Sequence, residues 1–130
     1  MDTGWIAALI GAGSGLALLA LFARMGNHAL AEGGYIALVA MLSIYAGAEL
    51  VTGSLSSIIT ELVIVSIVAV IARLAMLRWP PSIGLFVFLH GCYDALFGAG
   101  TGVATWYPPL CAGFDFVVGI GLMAILIKRS

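Results

Sequence analysis

The sequence predicts an all-α membrane protein, a bundle of five transmembrane helices forming one domain over residues 1–130. Three observations point there. Of 130 residues, 63% are hydrophobic and only 8% are charged, against about 25% charged in an ordinary soluble domain. The apolar residues gather into runs near the roughly 20 residues that cross a bilayer core. The basic residues occupy alternate connections only, as cytoplasmic loops do. Five basic and six acidic side chains are too few to cover a water-soluble globule of this size, so the expected surroundings are the lipid bilayer, consistent with a mean hydropathy of +1.20. A net charge of −1 gives no attraction to polyanions, and no nucleic-acid partner is expected.

The first run is Trp5–Ala23. Met1-Asp2-Thr3-Gly4 before it lacks the basic region of a signal peptide, so it is read as retained structure. Ala7, Gly11 and Gly15 form a small-xxx-small stripe on this helix, a place where another helix backbone approaches closely and a candidate seam for a homodimer. The neighbouring Gly11-Ala12-Gly13-Ser14-Gly15 is no nucleotide loop, because no strand precedes it and no lysine follows. The second run is Gly34–Leu50, after the turn Met25-Gly26-Asn27-His28; His28 and Glu32 are read as a solvated surface pair ahead of it. The third is Ser57–Leu77, with Arg73 expected to snorkel to the near interface. The fourth, Ser82–Phe97, follows Trp79-Pro80-Pro81, and the fifth, Pro109–Ile127, follows a glycine-rich connection and Trp106-Tyr107-Pro108. Pro81 and Pro109 stand at helix starts, where proline is tolerated. Ala112, Gly119 and Gly121 offer packing seams on the fifth helix. Cys92 and Cys111 fall at different depths, and no disulfide is expected between them.

Arg24 lies in the first connection, Arg78 in the third, and Lys128 and Arg129 follow the last run, while the second and fourth connections have no Lys or Arg. Five spans put all four on one side, placing the C-terminus in the cytoplasm and the N-terminus outside. Trp5, Trp79 and Trp106 all fall at predicted interfaces. The expected location is the inner (plasma) membrane, as a multi-pass protein.

Ionisable residues inside a bilayer are costly and usually functional or paired. On a rise of about 1.5 Å per residue, His90 lies roughly 12 Å and Asp94 roughly 18 Å in from the cytoplasmic side, Asp115 about 9 Å and Glu61 about 6 Å in from the outside. Glu49 stands near the outer end of its helix. His90 and Asp94 share a helix face at a spacing of four, bordered by Tyr93, and Tyr45 shares a face with Glu49. Turned inward, these faces would make a cavity with carboxylates and no Lys or Arg. Such a set needs raised pKa values, a bound cation or water. Metal and cofactor are left unassigned: imidazole and carboxylates suit zinc, iron or manganese, but only one histidine lies at that depth and no Glu-x-x-His or His-x-x-His pair is present.

Leu89-His90-Gly91-Cys92-Tyr93-Asp94 and Trp106-Tyr107-Pro108-Pro109-Leu110-Cys111-Ala112-Gly113-Phe114-Asp115 resemble an uncharacterised family of small bacterial integral membrane proteins with His-x3-Asp and Pro-x-Cys-Ala-x2-Asp motifs. The resemblance covers about 30 residues, implies a bacterial membrane protein, draws attention to His90, Asp94, Cys111 and Asp115, and brings no activity. Three functions are carried forward. The first is binding or transport of a cation or proton-coupled small solute in an acidic cavity of the outer half of the bilayer. The second is an intramembrane acid–base enzyme acting on a lipid-soluble ligand, with His90 and Asp94 set against Glu61 or Asp115. The third is an accessory or scaffold subunit whose polar residues hold helices together.

Overall fold

Backbone amides in hydrocarbon find no water, so each spanning segment must close its hydrogen bonds within itself, which a helix does. In the computed structural model, which describes residues 2–130, the chain forms α1 (Thr3–Phe22), α2 (Asn27–Thr52), α3 (Leu55–Arg78), α4 (Ser82–Phe97) and α5 (Tyr107–Arg129), with a 3-10 turn at Gly98–Gly100. Among the described residues, five helices are long and apolar enough to cross a membrane. Their outward surface is mostly Leu, Ile and Val, with Ile36, Leu50, Val51, Leu55 and Leu96 among the most exposed. The chain is an all-helical integral membrane protein.

Local chemistry sets the helix ends. The Ser54 hydroxyl caps α3 by accepting from the Ser57 amide at 3.2 Å, satisfying one of the amides that a helix start leaves open. Pro108 and Pro109 lie in the first turn of α5, where their missing N–H groups cost nothing. Gly102 of the preceding loop takes φ +75°, a backbone open to glycine and costly for other residues.

The second helix departs most from expectation. It starts at Asn27 rather than Gly34, so His28 and Glu32 are helical. Glu32 does not form a solvated pair with His28, because its carboxylate accepts two bonds from Nη1 of Arg73 on α3, at 2.7 and 2.6 Å. Arg73 is thereby drawn sideways, with its guanidinium 5.3 Å above the Tyr35 ring, instead of snorkelling freely. Replacing Arg73 with leucine should strand Glu32 and lower the melting temperature, a loss set by one interhelical polar contact in a membrane. The double variant Arg73→Leu with Glu32→Leu should recover most of it. Thermal unfolding in detergent checks this, and a single variant as stable as the parent would show that the pair contributes nothing.

The small residues set the packing order. α1 runs parallel to α5: Gly11 backs onto the Leu110 carbonyl, Gly15 onto Phe114 and Val118, and Gly113 of α5 onto the Ala8 carbonyl. The Ala7, Gly11, Gly15 stripe is thus buried inside the chain. It is filled by α5, so a homodimer would have to use a different surface. On its other flank α5 packs antiparallel to α4 through Gly84 and Gly119, where a Cβ on Gly84 would stand 2.5 Å from the Gly119 carbonyl oxygen. α2 lies across α4 and α5, and α3 packs chiefly on α2.

The apolar core, centred on Leu30, Leu38, Ile83, Val87, Leu122 and Leu126, fills the end of the bundle that carries Arg24, Arg78, Lys128 and Arg129. There Arg129 donates to the Met25 carbonyl at 3.0 Å and to the Ala23 carbonyl, tying the end of α5 to the α1–α2 turn. The only buried residues of α3 are Ala72 and Met76, both toward that end. Its N-terminal half is therefore loosely held, which leaves space beneath it.

Candidate functional site

The space and the buried polar residues meet in the half of the bundle away from the basic end. Helical spacing places His90 and Asp94 on one face of α4. Gly91 between them brings α5 in: a Cβ there would stand 2.8 Å from the Cβ of Asp115. Three residues from two helices converge, and Tyr45 of α2 closes the group. His90 Nδ1 lies 2.7 Å from Asp115 Oδ2 and 3.4 Å from Asp94 Oδ2, and the Tyr45 hydroxyl donates to Asp94 Oδ1. Asp115 is fully buried, and His90, Asp94 and Tyr45 nearly so.

Sequence spacing pairs His90 with Asp94, but in the structure the carboxylate nearest His90 Nδ1 is that of Asp115. Nothing in the sequence shows how α5 is rotated about its axis. That rotation is set by the close approaches at Gly84, Gly91 and Gly119.

With carboxylates on the Nδ1 side, Nδ1 carries a proton and donates it, which leaves Nε2 on the opposite ring edge as a lone pair when the imidazole is neutral. His90 Nε2, Asp94 Oδ2 and Asp115 Oδ1 are buried without a hydrogen-bond partner. One nitrogen of His90 and one oxygen from each aspartate lie within 4.8 Å of one another, a donor set able to hold a proton or a small cation. Two buried carboxylates and one imidazole leave a net negative charge even when the histidine is protonated. Burying that charge uncompensated is costly.

Beside the cluster lies a cavity of about 280 Å³ between α2, α3 and α4. Leu38, Leu42, Val65, Val68 and Phe86 make its walls apolar, and its polar groups are Tyr45, Glu61, His90 and Tyr93. Ile64 and Leu89 also line it and are about half exposed on the outer surface, so the cavity reaches the lipid-facing side between α3 and α4.

The remaining candidates sit outside the cluster. Glu61 is half-buried on α3 and faces the cavity without touching the aspartates. Tyr93 packs edge-on against Tyr45, with ring centroids 5.6 Å apart at 84°, and lines the cavity. The Glu49 carboxylate lies over Gly53 at the α2–α3 turn and is not among the cavity's lining residues. Cys92 and Cys111 are free thiols. The apolar walls were not singled out from sequence, because Leu, Val and Phe here read like any core or lipid-facing residue. No protein-family model, curated protein or solved structure matches the chain.

Proposed function

We propose that this integral membrane protein binds a cation at the His90–Asp94–Asp115 cluster and couples protonation there to the handling of a small solute in the adjoining cavity. The observation that carries this reading is the convergence of one imidazole and two carboxylates with no Lys or Arg beside them. Arg73, the nearest candidate on α3, is engaged by Glu32 toward the other end of the bundle. A proton shared within such a group reduces its net charge, and an arriving cation does the same, so the two compete for one site. The orientation that goes with this reading has the N-terminus outside, the C-terminus in the cytoplasm and the cluster in the outer half of a bacterial inner membrane. The rule of positive residues in cytoplasmic loops supports it.

Proteoliposomes holding a pH-sensitive dye test the reading. An imposed pH gradient should drive proton movement that is absent from empty vesicles and lost in Asp115→Asn, whose side chain still accepts from His90 but no longer titrates. If the parent protein moves no protons or common cations and the purified protein binds none, the reading is wrong.

A second reading is favoured by the placement of His90 on the cavity wall with its Nδ1 edge held by carboxylates. That is how a general base is oriented, and a lipid-soluble substrate entering between α3 and α4 would meet it with Glu61 also on the wall. Incubation with membrane lipids followed by mass spectrometry should then reveal a product that His90→Gln fails to make.

A further inference from the structure

We infer that the cavity between α2, α3 and α4 is a binding site for a small lipophilic organic cation, an ammonium head on an apolar body, that enters from the lipid between α3 and α4. This rests on the reading of the His90 cluster as a cation site and names the class of solute beside it.

The size, the lining and the charge of the cavity agree. At about 280 Å³ it lies just below the roughly 300–1,000 Å³ of pockets for drug-sized ligands, so the occupant is small. Its walls are mostly apolar, which suits a hydrophobic body. Its polar groups are unbalanced toward acceptors: the Glu61 carboxylate, the His90 imidazole and two tyrosines. None is a fixed cation. An anionic occupant would face Glu61 and the aspartates behind His90 without a counter-charge, and a neutral one would leave Glu61 in an apolar wall unpaired. A cation satisfies Glu61 directly and meets the aromatic rings of Tyr45, Tyr93 and Phe86 on the wall, whose π-electrons attract it.

Benzyltrimethylammonium and its uncharged carbon isostere neopentylbenzene test this on the protein in detergent, by calorimetry. The expected result is ammonium binding about tenfold or more tighter than the isostere. Glu61→Gln should weaken binding to a similar degree, and Val65→Phe, which fills the cavity without touching an ionisable group, should abolish it while the protein melts as the parent does. Equal binding of the isostere, or ammonium binding unchanged by both variants, overturns the inference. If the parent protein still takes up protons or an inorganic cation at the His90 cluster while neither probe binds, this inference fails and the cluster reading stands. If nothing binds at all, both fail.

Discussion

Replacing Gly113 with valine should detach α1 from the rest of the bundle and cost about 3 kcal/mol or more, at the top of the range for overpacking a tight interface. The reason is backbone against backbone. A Cβ at position 113 overlaps the Ala8 carbonyl oxygen and stands 3.0 Å from the Ala8 Cα, and neither atom can turn aside as a flexible side chain would. In lipid no hydrophobic force pushes the helices together again, because the tails solvate apolar side chains as well as a neighbouring helix does. Close contact is what holds them. Thermal unfolding in detergent should show the loss, with Gly13→Ala as its control. Gly13 lies on α1, the helix that Gly113 packs against, but meets no described atom within 4 Å, so alanine there should be neutral or gain up to about 1 kcal/mol in helix propensity. If the two variants melt alike, α1 is held by something other than this approach.

The second large effect is expected at Asp115. Replacing it with leucine removes the acceptor of His90 Nδ1 at a position with no exposure to solvent, where water cannot stand in. Breaking a buried charged pair in this way costs about 3–5 kcal/mol. Asp115→Asn keeps an oxygen facing Nδ1 and should cost nearer 1 kcal/mol, the worth of an ordinary hydrogen bond. Pairing Asp115→Leu with His90→Phe removes both partners and should restore part of the loss, a coupling that a double-mutant cycle in detergent measures. An Asp115→Leu protein as stable as the parent would mean that the His90–Asp115 contact carries no structural energy.

The hydropathy pattern locates five spans because bilayer thickness imposes a length on each run, and the interval Ser82–Phe97 coincides with α4. The same measure misplaces the start of α2, since Glu32 lowers the local hydropathy and its compensation, Arg73, is 41 positions away. The candidate site divides along the same line. His90 and Asp94 share a face by local geometry, and depth alone brings Asp115 level with them. The distance of Asp115 from His90 depends on how closely α4 and α5 approach, which Gly91 decides. The small stripe on α1 correctly marks a close approach, but spacing within one helix cannot name the helix that fills it. The cavity is the least visible feature, because it exists where α3 fails to pack.

The place of α5 at the centre of the bundle also has a consequence for biogenesis. A ribosome makes α5 after the other four helices, yet α1 leans almost wholly on it and α4 interlocks with it at Gly84 and Gly119. Until α5 leaves the ribosome and enters the bilayer, α1 has no partner and must wait as an independent helix. Assembly therefore follows insertion as a separate stage, and the His90–Asp115 contact can form only in the finished chain. A nascent protein stalled before α5 has four of the five spans of the mature one and no site.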